Sequence, residues 1–110
     1  MSSRRTLLSS STVGRRLRQA RHRANLPQDR LGVLAGLEES SSSARISRYE
    51  SGTHDPALSF TESLAKVLGV PAAFFYCSDD RLAEIILHYG DMSEAQRREL
   101  QSTAAELAGH

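Results

Sequence analysis

The stretch RISRYESG, residues 45–52, sets the strongest constraint on the fold. On a helix, Ile46 and Tyr49 lie three positions apart and therefore share one face. Gly52 can adopt the positive φ that ends a helix, and Pro56 keeps the chain from continuing in the same direction. The sequence therefore predicts a short helix with an apolar back and a front that carries Arg45, Ser47 and Arg48.

The rest of the chain shows the same helical spacing of apolar residues, and this predicts an all-α protein. A first helix is expected from Ser11 or Thr12 to Ala24, and a second over residues 28–35. A fourth helix is predicted from a Ser59 cap to Leu68, and a short fifth helix over residues 71–76. Gly32, in the middle of the second helix, predicts that another helix crosses it closely. Two further helices follow, the last with a capping box at residues 93–96.

Length and composition fit one small globular domain with a C-terminal extension. The chain has 110 residues, of which 39% are hydrophobic, enough for one core. No apolar run reaches the roughly 20 residues of a membrane span, and residues 1–10 lack the apolar region of a secretory signal. We therefore expect a cytoplasmic protein without membrane partners. The single Cys77 excludes an internal disulfide and a zinc finger, and fits a small buried side chain.

Charge is distributed unevenly along the chain, although the net charge is only +1. Residues 1–56 carry ten arginines and five acidic residues, a net of +5, whereas residues 57–110 carry four basic and eight acidic residues, a net of −4. This asymmetry favours a basic half that faces a polyanion. The exclusive use of arginine in the first half favours forked contacts with phosphates and bases.

Several separated motifs, in the correct order over residues 12–76, resemble the helix-turn-helix of the phage-repressor/Cro-like (XRE) family of bacterial regulators. They are LRQAR at 17–21, the RISRYESG stretch with its following proline, LAKVLGVP at 64–71, and, between the first two, Gln28, Gly32, Gly36 and Leu37. The resemblance implies a five-helix repressor-like DNA-binding domain over residues 11–77. Residues 1–10 have only Leu7 and Leu8 as apolar anchors and are expected to form a flexible arm, in which Arg4 and Arg5 could reach a minor groove.

Two departures from the family pattern affect the site. Pro27 stands where the family has a Ser or Thr cap, so the second helix relies on the preset φ of proline. The segment Glu38–Ser43 makes the stretch between Gly36 and Ile46 about four residues longer than the family's usual turn. Serine favours caps and turns. We therefore predict a widened turn, with the recognition helix beginning near Ser41 to Ser43.

The resemblance gives roles to Ser43, Ala44, Arg48 and Gln28, and position on a helix or in the following loop gives the other DNA contacts. Base contacts are assigned to Ser43, Ala44, Arg45, Ser47 and Arg48. Phosphate contacts are assigned to Arg15, Arg16, Gln28, Ser51, Thr53 and His54. Arg21 and Glu50 match a family ion pair that joins the first and third helices.

Residues 78–110 exceed what a five-helix domain needs, and their apolar stripes can fold back or bury against a second copy. We favour a homodimer, because two-fold symmetry matches DNA half-sites about 34 Å apart. The interface residues would be Leu82, Ile85, Ile86, Tyr89, Leu100 and Leu107.

The expected function is a sequence-specific transcriptional regulator, a repressor that binds an operator as a dimer. Two alternatives stay open: an antitoxin that represses its own operon and grips a toxin through its acidic C-terminal half, and a protein-interaction module on a helix-turn-helix scaffold. Neither a nucleophile motif nor a phosphate-binding loop is present, and the four histidines stand singly. We therefore expect no enzymatic activity, no metal site and no cofactor.

Overall fold

The computed structural model describes residues 11–110, which form six α-helices and one 3-10 helix and contain no strand. This confirms the predicted all-α fold class. The predicted mobile arm over residues 1–10, with Arg4 and Arg5, lies outside the described residues. The elements in chain order are α1 Ser11–Arg23, α2 Gln28–Leu34, α3 Glu39–Ser51, α4 Leu58–Leu68, the 3-10 helix Ala72–Tyr76, α5 Asp80–Gly90 and α6 Glu94–Ala108.

Helix ends follow the local sequence in most places. Gly52 ends α3 with φ 82°, and the capping box at Ser93 and Gln96 begins α6 as predicted. The predicted Ser59 cap of α4 is wrong, because the helix begins two residues earlier. The backbone N–H groups of residues 60 and 61 both donate to the carbonyl of Ala57, which is the N-cap residue and caps without a side-chain bond.

One core forms where α1, α2, α3, α4 and the 3-10 helix meet. Helices α1, α3 and α4 contribute apolar residues three or four positions apart, and α2 contributes Leu31. Phe75 is the largest fully buried side chain, and it packs edge-to-face with Phe74 at a centroid distance of 6.0 Å. The core residues from these five elements are Leu17, Ala20, Leu31, Ile46, Tyr49, Leu64, Ala65, Leu68, Phe74 and Phe75.

The crossing of α2 and α3 is close because Gly32 has no side chain. A Cβ at Gly32 would overlap Ser42 Oγ and lie 3.2 Å from Leu37 Cδ1. The Ser42 hydroxyl is fully buried and donates to the carbonyl of Asp29 at 2.7 Å. The crossing predicted from Gly32 is therefore present, and a serine of the 40–43 run is part of it.

The widened turn predicted over Glu38–Ser43 is wrong. Helix α3 begins at Glu39, so only residues 35–38 separate it from α2. Ser42 must lie on the helix to reach Asp29, and this contact draws the serines into the first turns of α3 rather than into a loop. Consequently Ser43 is the fifth residue of the recognition helix, not one of its first.

The two C-terminal helices differ in how they join the domain. Ala83 of α5 is buried, and Ile86 and Leu87 pack against the core. Ile86, predicted for a dimer interface, is thus half-buried in its own subunit. Helix α6 has no buried residue. Across residues 11–110, no helix is both long enough and apolar enough to cross a membrane.

Candidate nucleic-acid interface

Helix α3 has one buried side and one exposed side. Buried residues recur at positions 42, 46, 49 and 50, which is the spacing of a single helical face. We call the exposed remainder of the helix the outer face of α3; its residues are Ser40, Ser43, Ala44, Arg45, Ser47, Arg48 and Ser51, whereas Glu39 lies on the side of the buried residues, next to α2. The five residues predicted to contact bases all lie on this face. Short polar side chains and two arginines on an exposed helix suit the major groove, where both residue types read base edges.

The predicted ion pair between Arg21 and Glu50 fixes α3 to α1. Arg21 donates through Nε to Glu50 Oε2 at 2.6 Å and through Nη2 to Oε1 at 3.1 Å. The Glu50 side chain is only 1% exposed and that of Arg21 is 12% exposed. A third donor, Arg18 Nε, lies 3.5 Å from Glu50 Oε1. The pair is therefore a bidentate, mostly desolvated contact of the kind that is strongly destabilising to break.

Glu50 stays ionised in this buried position. Burial raises its pKa, but hydrogen bonds from Arg21 and Gln28 and the charges of Arg21 and Arg18 outweigh burial and hold the pKa below its ordinary value. The carboxylate is therefore negative at neutral pH and keeps its three neighbours in place.

Gln28 links α2 to the same cluster. Its Nε2 donates to Glu50 Oε1 at 3.1 Å, and its Oε1 accepts from Ser43 Oγ at 3.5 Å. The side chain is half-buried at the start of α2, beside the outer face of α3. Gln28 therefore braces the recognition helix in the absence of DNA.

The back of α3 also approaches α1 closely. A Cβ on Gly14 would lie 2.7 Å from the carbonyl oxygen of Tyr49, which is closer than such atoms can pack. Helix α1 can therefore rest directly on the backbone of α3. Together with the Glu50 cluster and the Ser42 contact, this gives the outer face a rigid support, as a recognition surface requires.

The turn after α3 carries a small group of hydroxyls. Ser51 Oγ and Thr53 Oγ1 lie 2.8 Å apart, and Ser51 also donates to the carbonyl of Arg48 at 3.2 Å. The backbone N–H of His54 donates to the same carbonyl. Ser51, Thr53 and His54 are all exposed and adjoin the outer face, as their predicted phosphate contacts require.

Arg16 is not placed to contact a phosphate, and that prediction is corrected. Its side chain is 3% exposed and its donors are taken up inside the protein. Nε donates to the carbonyl of Cys77 at 2.7 Å, and Nη2 donates to Asp80 Oδ1 at 2.9 Å and to the carbonyl of Ser78 at 3.3 Å. Arg16 thus links the start of α5 to α1. Helical spacing alone predicts a solvated basic face at this position.

The basic side of α1 is partly neutralised by α5. Arg15 pairs with Asp80 at 3.0 Å, and Arg23 pairs with Asp91 at 3.0 Å. Hydrogen bonds from Arg16 and Arg15 hold the pKa of the exposed Asp80 below its ordinary value. The charge asymmetry of the sequence therefore reflects internal pairing as well as any external polyanion. Arg15 keeps 41% of its side chain exposed and remains available to a second anion.

One exposed residue of the first turn of α3, Ser40, lies on the outer face and was not among the predicted base contacts. In helix-turn-helix proteins the N-terminal residues of the recognition helix meet the bases first, and a serine hydroxyl can hydrogen-bond to base edges. The available signal was the absence of Gly and Pro between Leu37 and Gly52, which permits a helix throughout that segment.

No cluster of three or more His, Cys, Asp or Glu residues within the described part of the chain could hold a metal ion. Among the described residues, the outer face of α3 and the turn that follows it form an exposed polar surface on a rigid support. The α2–turn–α3 arrangement and this face define a helix-turn-helix DNA-binding protein.

Comparison with known proteins agrees with this class. Residues 12–73 match the family model described as a helix-turn-helix domain. The chain is 42% identical to the protein in the crystal structure of the transcriptional regulator BswR, with a TM-score of 0.80 over 84% of this chain and 92% of that one. A search of curated proteins finds no match. The chain belongs to the helix-turn-helix family of DNA-binding transcriptional regulators, which confirms the resemblance noted in its sequence.

Proposed function

We propose that the protein is a sequence-specific repressor that binds an operator as a homodimer, with the outer face of α3 in the major groove. The observation that carries the proposal is the separation of α3 into a buried supporting side and an exposed side of Arg, Ser and Ala. A scaffold that only binds proteins has no need of this support beneath an arginine-bearing face.

The proposed base contacts are Ser43, Ala44, Arg45, Ser47 and Arg48, together with Ser40. Flanking phosphate contacts are proposed for Arg15, Gln28, Ser51, Thr53 and His54. Hydroxyl and amide donors of this kind fix the register of a protein on the duplex without reading its sequence. The similarity to a structure titled transcriptional regulator supports this use of the face.

The proposed dimer interface lies on α5 and α6. Leu82, Ile85 and Tyr89 recur on one side of α5 and are 50%, 49% and 41% exposed. Leu107 of α6 is 84% exposed, and Leu100 completes the apolar side of that helix. Exposed apolar side chains along one side of a helix can bury against a second copy, and a two-fold dimer would supply two copies of α3 for two half-sites.

The first experiment is selection of bound sites from a random duplex library, followed by titration of the best site at several salt concentrations. The expected result is an enriched inverted repeat, whose half-site spacing gives the geometry of the dimer. Arg48→Ala should weaken binding to that site by roughly 1–3 kcal/mol. Arg98→Ala removes the same charge from an exposed position on α6 and is the matched control.

Each outcome has a distinct meaning. Binding that depends on salt but enriches no sequence would leave only general attraction to the phosphate backbone and refute sequence-specific reading. Absence of any DNA binding would favour the protein-interaction alternative. Transcription in vitro from a promoter that carries the selected site tests repression, because a repressor bound at that site lowers the yield of transcript.

The dimer has its own test. Ile85→Asp should shift the sedimentation profile from dimer to monomer, because a carboxylate cannot be buried unpaired in an apolar interface. Ala73→Asp places the same group at an exposed position of the 3-10 helix and should leave the profile unchanged. A wild-type chain that sediments as a monomer at micromolar concentration and on its DNA would exclude the homodimer.

A further inference from the structure

The two arginines of the outer face differ in how they are held. Arg45 Nη2 donates to the hydroxyl of Tyr49 at 2.9 Å, and its Cζ lies 6.0 Å from the centroid of the same ring. Within residues 11–110, the Arg45 side chain forms no other hydrogen bond, and that of Arg48 forms none. Arg45 is therefore tethered in the absence of a ligand, whereas Arg48 has no hydrogen-bonding partner among the described residues.

Tyr49 is a rigid anchor for this tether. The residue is 8% exposed, and its ring packs against Phe60 at a centroid distance of 5.7 Å. Its backbone is confined on the other side, where the absence of a side chain at Gly14 lets α1 lie against the Tyr49 carbonyl. The Tyr49 hydroxyl is thus a polar group held at a fixed position, at the edge of a ring that otherwise makes apolar contacts.

We infer that Tyr49 determines sequence specificity by positioning Arg45 for a guanine in the major groove. This inference rests on the proposed function. The Tyr49 hydroxyl occupies one of the five N–H donors of the guanidinium and leaves four for a ligand. Two of these can pair with the O6 and N7 of guanine, the contact that arginine makes most often with a specific base.

The tether favours a base over a phosphate for a physical reason. A free arginine has a long, mobile side chain that can follow any phosphate within reach, and it loses that freedom when it binds. A guanidinium that is already hydrogen-bonded to Tyr49 has lost much of this freedom before DNA binds. It can contact only those base atoms that lie beside it when α3 is in the groove. Tyr49 is buried in the core, so it acts through Arg45 and not by direct base contact.

Tyr49→Phe is the informative variant, because it removes the hydroxyl and keeps the ring. The base position read by Arg45 is the one at which Arg45→Ala loses its base preference. At that position, Tyr49→Phe should lower discrimination between the best and next-best base pair by about threefold to tenfold, which is the effect of one lost hydrogen bond. The dependence of affinity on salt should not change, since the charge is unaltered.

Tyr76→Phe is the matched control. Its hydroxyl is 3.0 Å from Thr61 Oγ1, away from Arg45, and its loss should leave base preference unchanged. The double variant Arg45→Ala/Tyr49→Phe should discriminate no less well than Arg45→Ala alone, because the hydroxyl has no role without the guanidinium. Thermal unfolding of each variant verifies that the domain remains folded.

The outcomes separate this inference from the proposed function. If the wild type selects a site and Tyr49→Phe keeps the same base preference, the tether is overturned and the operator-binding function still stands. An equal loss at every base position, or a further loss in the double variant, assigns Tyr49 a general structural role and also overturns the tether. Failure of the wild type to select any site overturns both.

Discussion

Glu50→Gln tests whether one buried charge holds the recognition helix in place. The substitution keeps the shape of the side chain and removes the negative charge that Arg21, Gln28 and Arg18 surround. The folded-state pKa of Glu50 lies below its ordinary value of 4.5. Its carboxylate therefore stabilises the fold above about pH 4.5, and this contribution disappears as the pH falls through the folded-state pKa.

The magnitude follows from the burial of the pair. Removing one partner of a buried ion pair costs about 3–5 kcal/mol, chiefly because the other charge remains unpaired. Arg21 keeps 12% of its side chain exposed and still donates to the carbonyl of Leu26, so the lower end applies, about 3 kcal/mol at pH 7. At about 4 °C per kcal/mol for a domain of this size, the midpoint of thermal unfolding should fall by about 12 °C.

Urea denaturation followed by circular dichroism, at pH 7 and at several values below 4.5, is the assay. The difference in free energy of unfolding between wild type and Glu50→Gln should be largest at neutral pH and shrink on acidification. Glu99→Gln changes an exposed carboxylate on α6 and should differ little from wild type at either pH. A loss below about 1 kcal/mol at pH 7, or one equally large at acid pH, would refute the assignment of stability to this charge.

Three further substitutions test other contacts in the fold. Gly32→Ala should cost about 2 kcal/mol in free energy of unfolding through overpacking, and less in a Ser42→Ala background that lacks the overlapping hydroxyl, as measured by urea denaturation. Arg16→Met should cost about 2 kcal/mol because it leaves buried carbonyls unsatisfied, and hydrogen exchange should quicken across α5 before the rest of the domain. Arg97→Ala should speed exchange in α6 alone, since Arg97 bonds the last carbonyls of α5 and stacks on an aromatic ring there, whereas exposed Arg98→Ala should not.

Much of the fold follows from spacing that the sequence displays directly. The helix that carries Ile46 and Tyr49, its end at Gly52 and the close crossing at Gly32 are local consequences of residue type and position. The Arg21–Glu50 pair is 29 residues apart in the chain, and only the family resemblance could predict it.

The errors have a common physical origin, which is that long-range contacts override local preference. Serine alone favours a turn, but the buried contact between Ser42 and Asp29 places the run of serines on α3. Arg16 occupies what looks like a solvated face until α5 folds onto α1 and takes up its donors. The tether between Arg45 and Tyr49 depends on side-chain direction and on the support beneath the ring, which helical spacing does not specify.

Helix α3 divides its residues into two sets with little overlap. Positions 42, 46, 49 and 50 hold the helix in the domain, whereas Ser43, Ala44, Ser47 and Arg48 contribute almost nothing to the core. Mutations in the second set can therefore accumulate at little cost to folding. If the outer face reads an operator as proposed, a lineage that carries this domain can change its operator through folded intermediates. An engineer would then randomise these four positions together with Arg45. Tyr49 is the exception, because it belongs to the buried side of α3 and its hydroxyl also accepts a hydrogen bond from Arg45 of the outer face.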